Sequence, residues 1–199
     1  MGKVISVSGL DGSGKSTLIS QIQSFYSSNG ENVLVIRSRP LGFPILSSIK
    51  YGKRRAEFKA ANKKHFNKES NGVIVSYLKF FYYYSDYLFG SLWLYIKKRH
   101  SNSIIIFDRY YFDYICDQER FSLSVNKLII NKLMRFIFIP DVNIFLDAKK
   151  DQIYENRIEQ SAEQIRIASN SFLDFFANEP KIKNKSFYII AGLKEDTFE

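Results

Sequence analysis

Cysteine is almost missing from this chain. Cys116 stands alone among 199 residues, so no intrachain disulfide supports the fold, and a lone thiol suits a reducing cytoplasm. Acidic residues are outnumbered, 20 against 29 lysines and arginines. The resulting charge of +9 points to an anionic partner: a nucleotide, a nucleic acid or a membrane surface. The first residues lack the charged and apolar regions of a secretion signal. Histidine is scarce, and His65 and His100 have no neighbour at metal-ligand spacing, so both read as surface residues. Residues 73–96 make a long apolar and aromatic run, but Lys79 and Asp86 interrupt it with charges that are costly at mid-bilayer. The run therefore reads as a buried helix with two functional polar residues, and no transmembrane segment is expected.

What is present suffices for a core. A hydrophobic content of 45% over this length excludes wholesale disorder and predicts a single domain spanning residues 1–199. Lys3–Ser8 reads as a strand, followed by a glycine-rich turn. Leu18, Ile19, Ile22, Phe25 and Tyr26 then share one helical face, which Asn29-Gly30 ends. Val33–Ile36 is a short apolar run, a strand covered on both faces. The apolar helix starts near Ser70-Asn71-Gly72, Ser103–Phe107 is a third strand ending at Asp108, and Leu123–Ile137 looks helical. Pro140-Asp141 leads into the strand Val142–Leu146, closed by Asp147. A helix with Ile153 and Ile158 follows. Ser161-Ala162-Glu163-Gln164 spells a capping box before a helix with Ile165, Ala168, Phe172 and Phe175 on one face. Ser186–Ile190 is a fifth strand. Strands alternating with helices predict an α/β fold with a parallel sheet.

The most specific local signal is Gly9-Leu10-Asp11-Gly12-Ser13-Gly14-Lys15-Ser16-Thr17, which matches G-x-x-x-x-G-K-[ST] between a strand and an amphipathic helix. Glycines let backbone N–H groups converge on phosphate oxygens, and the helix N-terminus adds positive potential. Lys15 would bridge the β- and γ-phosphates of ATP, and Ser16 would offer its hydroxyl to Mg²⁺. Asp108-Arg109 closes an apolar strand. There a carboxylate can hold a magnesium water, and an arginine can clamp a phosphoryl group.

Three motifs together resemble the thymidylate kinase-like P-loop family: the phosphate loop with its acidic third residue, Asp108-Arg109-Tyr110, and Pro140–Asp147. The resemblance implies a P-loop three-layer fold with a five-stranded parallel sheet. It implies transfer of the ATP γ-phosphoryl group to a nucleoside monophosphate, with dTMP as the family's type of acceptor. Asp11 would approach the acceptor, Arg109 would hold its phosphate, and Arg37 or Arg39 would assist. A short lid over 157–166 would supply a catalytic arginine, Arg157 or Arg166. Tyr83 falls at the family's base-stacking position and Tyr87 where the family carries a base-reading arginine; Asp86 and Gln118 belong to the same acceptor side. Asp113 and Asp117 depart from the family's pattern. Asp108–Tyr114 is similar to divergent kinases associated with bacterial surface-polysaccharide genes.

Two further readings stand beside this one. A kinase of a sugar or another hydroxyl would use a carboxylate base, for which Asp11, Asp86, Asp113 and Asp117 are candidates. A nucleotide-dependent binding module would use the basic stretch Lys50–Lys68, where Tyr51, Phe58 and Phe66 are interleaved with cations. With no nucleic-acid fold in evidence, that stretch reads instead as part of a basic acceptor-side insert over 39–72, and nucleic acid is not the expected partner. The expected partners are ATP, Mg²⁺ and a small phosphate acceptor, with a homodimer open as an assembly.

Overall fold

The computed structural model describes residues 2–43, 72–148 and 162–191. The basic stretch Lys50–Lys68, the helix expected around Ile153 and Ile158, Ser161 of the capping box and the lid arginine Arg157 lie outside them. Five strands form one parallel sheet: β1 (Lys3–Gly9), β2 (Val33–Arg37), β3 (Ile104–Asp108), β4 (Val142–Ala148) and β5 (Ser186–Ala191). Their order is β2-β3-β1-β4-β5, so β1 is central. The helices are α1 (Lys15–Ser28), α2 (Val73–His100), the single turn α3 (Asp113–Cys116), α4 (Lys127–Leu133) and α5 (Ala162–Asn178).

The expected α/β class holds for a physical reason visible strand by strand. β1 and β3 are almost continuously buried, as strands covered by helices on both faces must be. Ile5, Val7, Ile19, Ile104, Ile106 and Ile144 pack on the α1 side. On the other side an aromatic core gathers Phe80, Tyr87, Phe107, Tyr111, Phe145 and Phe172. Polar locks fix the register: Ser6 Oγ donates to Asn143 Oδ1 at 2.9 Å, and Val4 N–H donates to Asp141 Oδ2 at 3.0 Å.

Three expectations need correction. Val33–Ile36 is not covered on both faces: β2 is an edge strand with no buried residue, and Val35 is exposed. Leu123–Ile137 is not one helix. Ser122 adopts a left-handed φ of 48°, and helix starts only after Asn126, whose side chain caps Leu128 N–H at 2.9 Å. α2 is not buried all round, because Ile74, Leu78, Phe81, Leu88 and Leu92 are exposed on it. Among the described residues no helix is long and apolar enough to cross a membrane.

α2 also positions the loop that leaves β2. Its fully buried Asp86 accepts from Leu41 N–H at 2.8 Å and Phe43 N–H at 2.6 Å. Gly90 makes room for that loop, since a Cβ there would stand 2.4 Å from Pro40 Cβ.

Candidate active site

In the parallel register Val7 pairs with Asp108. The turn after β1 and the end of β3 therefore emerge side by side at the carboxyl edge, where open α/β sheets bind ligands. Gly9 is required at the strand exit: its φ is +149°, and a Cβ would lie 2.3 Å from the Leu146 carbonyl. A cavity of about 390 Å³ opens here, lined by Asp11, Gly12, Gly14, Lys15, Ser16, Asp108, Arg109 and Arg120. A larger opening of about 640 Å³ lies at the other end of the strands, around Lys3, Glu31 and Ser103, away from these motifs.

Lys15 is buried, and its ammonium donates to the Leu10 carbonyl and to Ser13 Oγ at 3.5 Å. Burial, then the charge of Arg109, pushes its pKa down to about 7. An anion entering the cavity would reverse that shift by favouring the charged amine.

Arg109 departs from ordinary backbone, with φ at 73°, while its N–H is tied to the Val7 carbonyl at 2.9 Å. Its guanidinium donates to the Gly9 carbonyl at 2.9 Å, to Asp113 Oδ1 at 2.9 Å and to Asp11 Oδ1. Asp113 is fully buried and also accepts from Ser8 Oγ at 2.8 Å and Tyr110 N–H at 3.3 Å. The second oxygen of Asp11 takes Arg120 Nη1 at 2.5 Å. Arg120 escaped the sequence reading. The signal that points to it is Asp117 three residues earlier, whose Oδ1 accepts Arg120 N–H at 3.4 Å.

Above β2, Arg39 ion-pairs with Asp86 at 3.8 Å and lies over the Tyr83 ring at 4.5 Å. Its Nη1 is buried without a hydrogen-bond partner. Tyr83 stacks on Tyr114 at 6.2 Å.

The sequence model of the thymidylate kinase family matches residues 7–196. The chain belongs to the thymidylate kinase family. A crystal structure of thymidylate kinase from Ehrlichia chaffeensis is similar over 95% of this chain and 90% of that one, with a TM-score of 0.57 and 16% identity. That likeness supports the P-loop fold. No curated protein matches the chain.

Within this thymidylate kinase family fold the expected residues divide. Asp11, Gly12, Gly14, Lys15, Ser16, Asp108 and Arg109 share one cavity. Gly9 contributes its carbonyl to Arg109, Ser13 its hydroxyl to Lys15, and Thr17 is exposed on the first turn of α1. Tyr87 is fully buried and donates its hydroxyl to the Ser38 carbonyl, so with Asp86 it underpins the Arg39 loop. Gln118 closes on Val125, donating to its carbonyl at 2.9 Å and accepting its N–H at 3.1 Å, which commits both ends of the amide. Arg37 is exposed at the end of β2. Arg166 is exposed and pairs with Glu163 at 3.0 Å. Burial pushes the Cys116 thiol up, which keeps it unreactive.

Ser16 and Asp108 fit magnesium, a hard cation that takes a few protein oxygens and completes its shell with phosphates and water. Among the described residues there is no cluster of three or more His, Cys, Asp or Glu that could hold a metal ion.

Proposed function

We propose that this chain is a cytoplasmic, ATP- and Mg²⁺-dependent nucleoside-monophosphate kinase, a P-loop kinase that moves the γ-phosphoryl group of ATP to the phosphate of a dTMP-like acceptor. The observation that carries the reading is Arg109, fixed by Asp113 and the Gly9 carbonyl within the Lys15 cavity. The phosphate loop and Lys15 hold the triphosphate. Ser16 and Asp108 would hold the metal, which when bound would supply positive charge to neutralise the triphosphate. Arg109 and Arg39 grip the acceptor phosphate. Arg39 is preferred to exposed Arg37 because its side chain is only 11% exposed and its Nη1 is buried without a hydrogen-bond partner. An acceptor phosphate oxygen attacks Pγ, the bond from Pγ to the β-phosphate oxygen breaks, and its electron pair leaves on ADP. The attacking oxygen is already anionic, so no base is needed.

The carboxylates support this reading over a hydroxyl kinase. Asp113 and Asp86 are fully buried and hydrogen-bonded, Asp117 is buried and accepts from Arg120 N–H, and Asp11 is shared by two arginines. Each of the four candidate bases is thus engaged. The test is ADP release from Mg-ATP by purified protein offered a panel of nucleoside monophosphates and sugars. Stimulation by a monophosphate is expected; response to a sugar alone overturns the proposal.

For the assembly we propose a homodimer through the exposed face of α2, whose Ile74, Leu78, Phe81, Leu88 and Leu92 line a helix ~42 Å long. Light scattering should give twice the mass of the chain, and a monomer at every concentration removes the assignment.

A further inference from the structure

The cavity contains one cation that neither the phosphate-loop motif nor the Asp-Arg motif accounts for. Arg120 sits in a 3₁₀ turn, Glu119–Phe121, which is held from both sides. Asp117 accepts Arg120 N–H, Ser122 turns left-handed just after it, and Gln118 clips the following chain to Val125. The guanidinium is three-quarters buried and reaches Asp11, the carboxylate that Arg109 also holds. Of the charged side chains lining the cavity, Lys15, Arg109 and Arg120 are cationic, and Asp11 and Asp108 are acidic. Burial and the charge of Arg109 push the Arg120 pKa down to about 10. Three cations that repel one another around one cavity are relieved by a polyanion.

A counter-ion for Asp11 would be redundant, because Arg109 already pairs with that carboxylate and with Asp113. Arg166 on α5 is exposed, paired with Glu163 and not among the residues lining this cavity, and Arg157 lies outside the described residues.

We propose that Arg120 is a catalytic residue whose guanidinium, presented by Asp11 beside Lys15 and Arg109, takes an oxygen of the ATP γ-phosphoryl group. It neutralises charge spreading over that group as the bond to the β-phosphate oxygen breaks and the electron pair passes to ADP. Arg120 itself forms no covalent bond. The inference rests on the reading of the cavity as a triphosphate site and is independent of which acceptor is used.

The test is calorimetry with two probes, Mg-ADP and the magnesium complex of the imido-bridged ATP analogue, which differ by the γ-phosphoryl group. Arg120→Gln should leave the Kd for ADP within threefold and weaken the analogue at least tenfold. Equal changes for both nucleotides, or none, overturn the proposal. Arg120→Lys keeps the charge but loses the planar fork, and covers a Gln variant that does not fold. It should weaken the analogue at least threefold with ADP unchanged, and wild-type behaviour overturns the proposal. The acceptor panel separates the two claims. Selective analogue loss together with ADP release stimulated by a sugar alone upholds Arg120 and sinks the monophosphate-kinase assignment. Wild-type turnover by Arg120→Gln does the opposite.

Discussion

Asp113 holds Arg109 from beneath, four residues along the chain, with Oδ1 2.9 Å from Nη1 and the carboxylate sealed from solvent. Breaking a buried pair by removing one partner leaves an uncompensated charge. Asp113→Asn should therefore cost about 3 kcal/mol in denaturant unfolding. The new amide also sets an N–H donor against Ser8 Oγ, Tyr110 N–H or Arg109, all donors in the native arrangement. Ser8→Ala, which removes one hydrogen bond, should cost about 1 kcal/mol. Equal losses for the two variants would mean that the ion pair adds nothing.

Lys15 gives a pH dependence of definite sign. Its folded pKa of about 7 lies below the ordinary 10.5, so between these values the unfolded chain binds more protons and stability rises with pH. The penalty is fully present below pH 7. Lys15→Met should stabilise the nucleotide-free protein most at or below pH 7, with the gain shrinking toward pH 10. Polyphosphate restores the ammonium, so Mg-ADP binding above pH 7 should take up a proton, seen as a calorimetric enthalpy that varies with the buffer. Buffer-independent enthalpies at pH 8 would contradict the buried-amine account.

Gly90 and Pro40 yield a prediction that reverses the usual rule. Replacing an exposed helix glycine by alanine gains about 1 kcal/mol. Here the added methyl would meet Pro40 Cβ at 2.4 Å and Cγ at 2.8 Å. Gly90→Ala should instead destabilise by about 1–2 kcal/mol net, and should loosen the loop that carries Arg39. A thermal unfolding curve shifted upward would show that the loop yields freely.

The parts of this site legible in sequence are those built by consecutive residues. Gly9–Thr17 needs no distant information to make a phosphate loop, and Asp108-Arg109 is marked by the apolar strand before it. The sheet was legible because short apolar runs alternate with stretches of helical spacing. Arg120 was not, because the contact that matters lies 109 positions away at Asp11 (120 − 11) and exists only once β1 and β3 pair. Tyr87 and Gln118 carry polar groups that look available in one dimension. In three they serve the backbone carbonyls of Ser38 and Val125. The over-long helix at 123–137 failed at Ser122 and Asn126, whose turn and cap outweigh apolar spacing.

Magnesium is the remaining point at which Ser16 and Asp108 can be tested together, since both line the cavity with Lys15. Asp108→Asn keeps the shape of the side chain and removes the charge that would order metal-bound water. Loss of such an outer ligand costs ~10–100-fold in metal affinity or activity. The magnesium concentration for half-maximal ADP release should therefore rise by a factor in that range. ADP binding measured in a chelator, where the phosphate loop and Lys15 act alone, should stay the same. Ser16→Ala should shift the magnesium requirement in the same direction by removing a direct oxygen donor. An unchanged magnesium midpoint in Asp108→Asn would assign this carboxylate to the strand end and leave the cation to Ser16 and the phosphates.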